Sequence, residues 1–531
     1  MKYLFALLLT CVAASKSGDS LYLIAGIIEL ILIFSISHTI LGKGKFGYVL
    51  NSILMLLYNV QMIVLIFGSS YITMVMLTNI ASIKALSGRA ETYITSAVLA
   101  VIFSFLPTKK REWNKKKELL LLSTLFVGIL FFIGDGSKHF PVYGYVNLAI
   151  QHHENTKATQ AVNQIINASA EETEYIKNEF YQDSIDDYKA KDDFLGENPN
   201  IILIFTEGLS QNVVTDEREI MPNVAKLQSE SVNFVNYYNH TFATYRGLNG
   251  QLYSGHQLDD IEANPLISIQ DILSECGYQT AFINTEPQNR DFTDYLTDMG
   301  FDELIEDTAY ECNGLADSIT DEDAYEILYD SAVKMAQSGQ PYFLAIYTFG
   351  THTSFDSTGE VYGDGTNPVL NRFYNVDYQF GKFWEKFKNS ELFDNTVLVF
   401  TADHVTYKDD PYVAAFSEYT RVHTCFDEIP LSIYYKGITP ETIDVNGRNS
   451  LGLAPTVLDY LDISAPNYFL GTSLFAKEAG SMLETSFYDS CTYYSSENDE
   501  IKIIEGSTLE EFKSIINDYY ITKSSCGKRE K

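Results

Sequence analysis

The stretch VLVFTADHV, residues 397–405, decides how this chain is read. Six apolar or β-branched residues run straight into an adjacent carboxylate and imidazole, Asp403 and His404. A segment apolar at nearly every position is a strand covered on both faces, and such strands belong to parallel sheets packed between helices. Four more runs share the pattern: NIILIFT (200–206), QTAFIN (279–284), YFLAIYT (342–348) and PLSIYY (430–435). Between them lie helical stretches, MPNVAKLQSES, SIQDILSEC, DAYEILYDSAVKMAQSG and NRFYNVDYQFGKFWEKFK. The alternation predicts a central, mostly parallel sheet between helices, and in such sheets ligands bind beyond the carboxyl ends of the strands.

Polar residues stand at those ends. IILIFTEG ends in Glu207, LAIYTFGTH leads to His352, and VLVFTADH ends in Asp403 and His404. Each alone marks the start of a loop. Two carboxylates and two imidazoles at one edge of one sheet suit a hard or borderline cation with oxygen and nitrogen ligands. The hydroxyl- and glycine-rich segment HTFATYRGLNGQLYSG (240–255) supplies a nucleophile, Thr244, at a turn into a helix. A helix N-terminus favours an anion there, although threonine at that place is also an ordinary cap.

Upstream the composition changes. Tyr3–Ala14, Leu21–Leu41, Phe46–Ile83, Thr92–Pro107 and Leu119–Gly134 are apolar runs, predicting a transmembrane region of four to five helices over residues 1–138. The first run also resembles a signal peptide, but with only Lys2 as its charged region. The basic loop KKREWNKKK (109–117) precedes the last run; positive loops stay cytoplasmic, so residues beyond Gly134 are expected outside. Residues 139–196 read as a polar helical connector, and 197–531 as the external catalytic domain.

Residues 1–138 carry 13 Lys and Arg against 6 Asp and Glu, a net of +7; the whole chain is −33, which leaves −40 for residues 139–531. An external domain that acidic excludes nucleic acid as a partner. No C-x-x-C pair occurs among the six cysteines, which argues against zinc ribbons and thiol–disulfide catalysis. Glu29, inside an apolar run, reads as a hydrogen bond between helices. His256 and His423 read as ordinary loop or surface histidines, and Asn167 and Asn239 sit in N-x-[ST] patterns.

From 198 to 475 the motifs fall in an order that resembles the sulfatase-like, membrane-anchored branch of the alkaline phosphatase superfamily. That branch includes the lipoteichoic acid synthases, or phosphoglycerol transferases, and the lipid phosphoethanolamine transferases. NIILIFTEGLS resembles the opening strand with its metal-binding glutamate, TYRG the threonine nucleophile segment, and NRD (289–291) a segment of the synthases. TFGTHTSF resembles the substrate-binding histidine segment and TADH the metal-binding pair. The resemblance implies an α/β sulfatase-like domain behind a membrane bundle, with Glu207, Thr244, Asp403 and His404 holding one divalent metal, manganese first, magnesium or zinc otherwise. It implies Thr244 as nucleophile, His352 and Arg290 as substrate-binding residues, a phospholipid donor (phosphatidylglycerol or phosphatidylethanolamine), and a glycan or glycolipid acceptor at the cell membrane. Gln288 replaces the aromatic that precedes NR in the synthases, the C-x-P-x-R motif of formylglycine sulfatases is absent, and no second Asp/His set follows His404. One metal favours a transferase; a phosphoethanolamine transferase and a metal-dependent phosphodiesterase or phosphatase are the alternatives.

Overall fold

The structure is a computed structural model that describes residues 1–37, 45–68, 70–72, 76–77, 90–107, 115–150, 152, 177–188, 195–196, 198–257, 264–306, 310–353, 355–489 and 492–526. The chain divides into two compact units, Met1–Lys157 and Ala158–Lys531.

In the first unit the apolar runs form α1 (Lys2–Ser17), α2 (Leu21–Ser35), α3 (Lys45–Gly68), α4 (Ala90–Ser104) and α5 (Lys115–Phe131), followed by a helix over 141–150. Of these, α3 is long and apolar enough to cross a membrane; Leu21–Ser35, Glu91–Ser104 and Leu121–Phe131 are shorter apolar helices. The long run from Phe46 therefore breaks at Gly68, and 78–89 and loop residues 109–114 lie outside the described residues. Ala6, Ala13, Leu30, Met55, Tyr58 and Met62 close the seam between α1, α2 and α3. Glu29 accepts from the backbone N–H of Val142 at 3.1 Å, the structural use read for it from the sequence.

The connector is helical over 141–150 and departs from the expected helix further on. Its stretch 153–176, with Asn167, lies outside the described residues. Residues 177–188 are not helical: Gln182 bridges Asn467, and the N–H groups of Ile185 and Tyr188 donate to Ser464 and Asp459 at 2.9 Å each. The segment lacks an apolar face for a helix to bury, so partners in the second unit satisfy its backbone instead.

The second unit is built on an eight-stranded sheet. Its strands are β1 (Asn200–Thr206), β2 (Val232–Val235), β3 (Gln279–Ile283), β4 (Glu303–Ile305), β5 (Tyr342–Thr348), β6 (Thr396–Ala402), β7 (Leu431–Tyr434) and β8 (Glu441–Asp444). Their order is β4-β3-β5-β1-β6-β7-β2-β8, with β7 alone running against its neighbours. The five apolar runs are the strands they were expected to be, and the expected helices fall at α6 (Pro222–Ser229), α8 (Ile269–Glu275), α10 (Asp321–Ala336) and α11 (Pro368–Lys388). The short, partly exposed β4 and β8 and a small antiparallel sheet, β9 (Ser486–Tyr488), β10 (Tyr493–Ser495) and β11 (Lys502–Ile503), carry no comparable signal.

Alternate residues face opposite layers. Ile201, Leu203 and Val399 line one face with Leu252, Ile269 and Val457, from α7 (Thr244–Tyr253), α8 and α12 (Leu453–Tyr460). On the other face Phe400 meets Phe380 of α11 at 5.1 Å. One turn on, Trp384 is fully buried, stacked on Phe380 and edge-on to Tyr434 of β7. A last helix, α13 (Gly506–Ser525), follows β11. Cys11, Cys276 and Cys312 are free thiols; Cys491 lies outside the described residues.

Candidate active site

Strand register assembles the site. Thr206 of β1 lies opposite both Thr348 of β5 and Ala402 of β6, so three neighbouring parallel strands end level. Whatever follows each must meet the others: Glu207 after β1, Asp403 and His404 after β6, and the loop to His352 after β5. One carboxylate oxygen of Glu207, one of Asp403 and a ring nitrogen of His404 lie within 4.8 Å of one another, all buried.

Backbone donors fix the carboxylates. Oδ1 of Asp403 accepts from the N–H groups of Gly208 (2.8 Å) and His404 (2.7 Å), the first made possible by the positive φ of Gly208 (46°). Oδ2 of Asp403 is buried and has no hydrogen-bond partner among the described residues. His404 places Nδ1 2.7 Å from the Val405 carbonyl, which leaves Nε2 facing Oδ2 of Asp403 at 3.4 Å and Oε1 of Glu207 at 3.9 Å. The Phe242 ring covers the imidazole at 4.4 Å.

Thr244 is the first residue of α7, and its hydroxyl donates to Oε2 of Glu207 at 3.0 Å. Ala243 before it has φ 85°, a conformation that costs a non-glycine residue on the order of 1–3 kcal/mol and is held only where surroundings over-determine it. The surroundings here are visible. A Cβ on Gly247 would lie 2.3 Å from the Asp403 carbonyl oxygen, so the helix touches the strand end backbone to backbone. One turn further, Gln251 Nε2 donates to the carbonyls of Ala402 (3.0 Å) and Asp403 (3.1 Å). Thr244, Gly247 and Gln251 share one helix face, and the helix is bolted to β6 by it.

Electrostatics push the three groups apart. Burial raises the Glu207 carboxyl, but the His404 and His352 rings and the Tyr347 and Thr244 hydroxyls together hold it below its usual value. Burial, then the charge of Glu207, lifts Asp403 well above the carboxylate range. Burial lowers His404, keeping the imidazole neutral. An ionised carboxylate, an orphaned carboxylate oxygen and a neutral imidazole lone pair form a donor set that a divalent cation fits.

His352 is half-buried beside this cluster, stacked on Phe349 at 4.9 Å. Its loop is strapped from below. Asp321 accepts from the Gly350 N–H (3.1 Å) and from Asn375 (3.0 Å), Asn375 accepts from the Glu360 N–H (2.9 Å), and Asn371 accepts from the Tyr362 N–H (3.1 Å).

Arg290 stands apart. Asn289 caps helix α9 (Arg290–Asp298), and the Arg290 side chain is 91% exposed, 3.9 Å from Asp294. It does not join the cluster, because the helix that begins there turns its first side chain outward. Glu286 is nearer: it is buried, and burial first, then the Glu207 charge, push it up to about 7. Gln288 lines a cavity of about 630 Å³ with Glu306, Glu311 and Asp317.

His256 lies in a loop, as read from the sequence, and is buried there. Asn239 is buried and its amide donates to the Thr241 and Cys425 carbonyls, so it is no glycosylation acceptor as folded. His423 is packed on Phe487 and Tyr494, with Nδ1 accepting from the Cys425 N–H. Glu286, Gly247, Gln251, Tyr347 and Asp321 gave no sign of a role in the sequence, since each acts only through a neighbour in space.

Residues 199–463 match the Sulfatase family. Lipoteichoic acid synthase-like YvgJ of Bacillus subtilis (strain 168) is 23% identical over 420 residues, 71% of this chain; the match spans 62% of that relative's length. Among solved structures, the lipoteichoic acid synthase LtaP from Listeria monocytogenes matches with TM-score 0.53 and 18% identity, covering 64% of this chain and 96% of that one. The integral membrane lipooligosaccharide phosphoethanolamine transferase EptA from Neisseria meningitidis matches with TM-score 0.52 and 14% identity, covering 86% and 95%. At those identities the solved structures speak for the fold. The Sulfatase match over residues 199–463, set beside the sequence likeness to YvgJ, is consistent with a lipoteichoic acid synthase-like member of the alkaline phosphatase superfamily.

Proposed function

We propose that the protein is a membrane-bound phosphotransferase that moves a phospho-head group, phosphoglycerol first, from a phospholipid to a cell-envelope glycan or glycolipid. The observation that carries this reading is the Thr244 hydroxyl bound to Glu207 at the strained start of α7, inside the buried Glu207, Asp403 and His404 cluster. Enzymes of this superfamily are divalent-metal dependent, and Glu207, Thr244, Asp403 and His404 would hold one ion, manganese before magnesium or zinc. Such an ion lowers the pKa of a bound hydroxyl and offsets phosphoryl charge.

The chain's own residues do the rest. The Thr244 hydroxyl releases its proton to solvent and Oγ1 forms a bond to phosphorus as the bond to the glyceride oxygen breaks, and the departing diacylglycerol takes a proton from His352. The phosphothreonine ester then yields to an acceptor hydroxyl: a new P–O bond forms, Thr244 leaves and regains a proton, and His352 takes up the proton of the acceptor. Arg290 would meet the substrate only from the rim.

Residues 1–138 serve as a multi-pass membrane region, 139–196 as the connector and 197–531 as the extracellular catalytic domain. The support is the string of apolar helices and the basic loop at 109–117, whose positive charge favours a cytoplasmic side before the last crossing. A second head group has its own support. The cavity beside Gln288 is lined by Glu306, Glu311 and Asp317, which suits an ammonium and so phosphoethanolamine.

Phosphatidylglycerol with acceptor withheld should yield diacylglycerol and leave glycerol phosphate on the peptide containing Thr244, found by mass spectrometry. Thr244→Ala should reduce turnover by at least 10³-fold while the fold persists. An adduct formed only from phosphatidylethanolamine selects the second head group. Full activity in the Ala variant ends the nucleophile assignment, and free glycerol phosphate released without acceptor makes the protein a hydrolase.

A further inference from the structure

Two hydroxyls converge on one oxygen. Thr244 and Tyr347 both donate to Oε2 of Glu207, whereas Oε1 is the oxygen that faces His404 Nε2. Tyr347 is the penultimate residue of β5, only 1% exposed, and its ring packs against Phe292 at 5.5 Å. Its carbonyl is taken by the Thr285 hydroxyl, and its phenol reaches Glu207. Leaving a buried phenol unpaired costs about 1–3 kcal/mol, and Tyr347 avoids it by donating to Glu207. We infer that Tyr347 is a positioning residue for Glu207: by occupying Oε2 it presents Oε1 to the cation site, and it keeps Oε2 satisfied when Thr244 turns to phosphorus.

The inference rests on the metal reading given above, and follows from hydrogen-bond capacity. A carboxylate with both donors on one oxygen cannot rotate without losing both. Thr244 has one proton to donate, and the proposed first step requires it to give up its bond to Glu207. Without the phenol, Glu207 would then hold a bare oxygen in a dry site, and could turn it toward the cation in a different geometry. Tyr347 never needs to move, so it holds the ligand through both transfers.

The test reads metal binding, not product. Full-length protein in detergent, stripped with EDTA, is titrated with Mn2+ by calorimetry. Tyr347→Phe should weaken the dissociation constant ten- to a hundredfold, in line with other partners of metal ligands, while the melting temperature of the stripped protein stays near that of wild type. Tyr253→Phe removes a phenol of similar burial that donates to the Met299 carbonyl, and should leave Mn2+ affinity unchanged. Equal affinity in wild type and Tyr347→Phe overturns the positioning role and leaves the metal reading standing. Absence of Mn2+ binding by wild type overturns both. Should Tyr347→Phe fold poorly, 3,5-difluorotyrosine at 347 keeps the shape: its fluorine resonance should shift on Mg2+ addition, and a resonance that ignores the metal overturns the inference.

Discussion

A carboxyl group in a dry site settles for a proton, a cation or a set of donors, and the site residues divide along that line. Asp403 has donors on one oxygen only, and Glu207 has them on the other side from His404. Glu286 has a single amide, from Asn289 at 3.1 Å, and burial pushes it up to about 7 from an ordinary 4.5. Folding therefore favours its protonated form, and stability is lost as pH rises from about 4.5 through 7, because the unfolded chain has already released that proton. Glu286→Gln removes this dependence: relative to wild type it should be neutral near pH 4.5 and stabilising by up to about 3 kcal/mol at pH 8. Denaturant unfolding of metal-free protein at the two pH values measures it, and a difference that does not grow with pH counts against the buried acid. Of these groups, Glu207, Asp403 and His404 are legible in the sequence because they follow apolar strands directly. Glu286 and Tyr347 are not: one reads as loop, and the other sits in YFLAIYT, where an aromatic looks like core.

At the scale of elements, the site depends on α7 touching β6. Gly247 is a helix-interior glycine, a costly choice by propensity, and here it is required by the approach to the Asp403 carbonyl. Gly247→Ala would put a methyl where backbone stands, so the helix must lift. Overpacking of that kind costs typically 1–3 kcal/mol, and the lift would part Thr244 from Glu207. The variant should remain folded yet lose most Mn2+ affinity and turnover; wild-type Mn2+ affinity would show that the contact is not what aligns the site. The strands and helices that form the core were readable from apolar runs of seven or so residues. The elements that escaped, β4, β8 and the β9–β11 sheet, are two to four residues long and partly exposed, too short to show a period. The connector escaped for the opposite reason: it lacks an apolar face, and what orders 177–188 is distant in sequence, around Asp459 to Asn467.

For the whole molecule, two units of opposite charge join between 157 and 158. Protease added to intact cells should release the second unit, roughly residues 158–531, and leave KKREWNKKK protected until the membrane is opened. Cleavage of that loop from outside would invert the topology and remove the external transferase reading. The same division sets up an optical experiment. Trp384 is the sole tryptophan of the second unit; the other, Trp113, lies in the first. Packed on Phe380, whose ring in turn meets Phe400 of β6, the indole sits one ring away from the strand that leads to Asp403. In a Trp113→Phe background, fluorescence from the full chain becomes a single-site reporter of the second unit, recording its unfolding without any label.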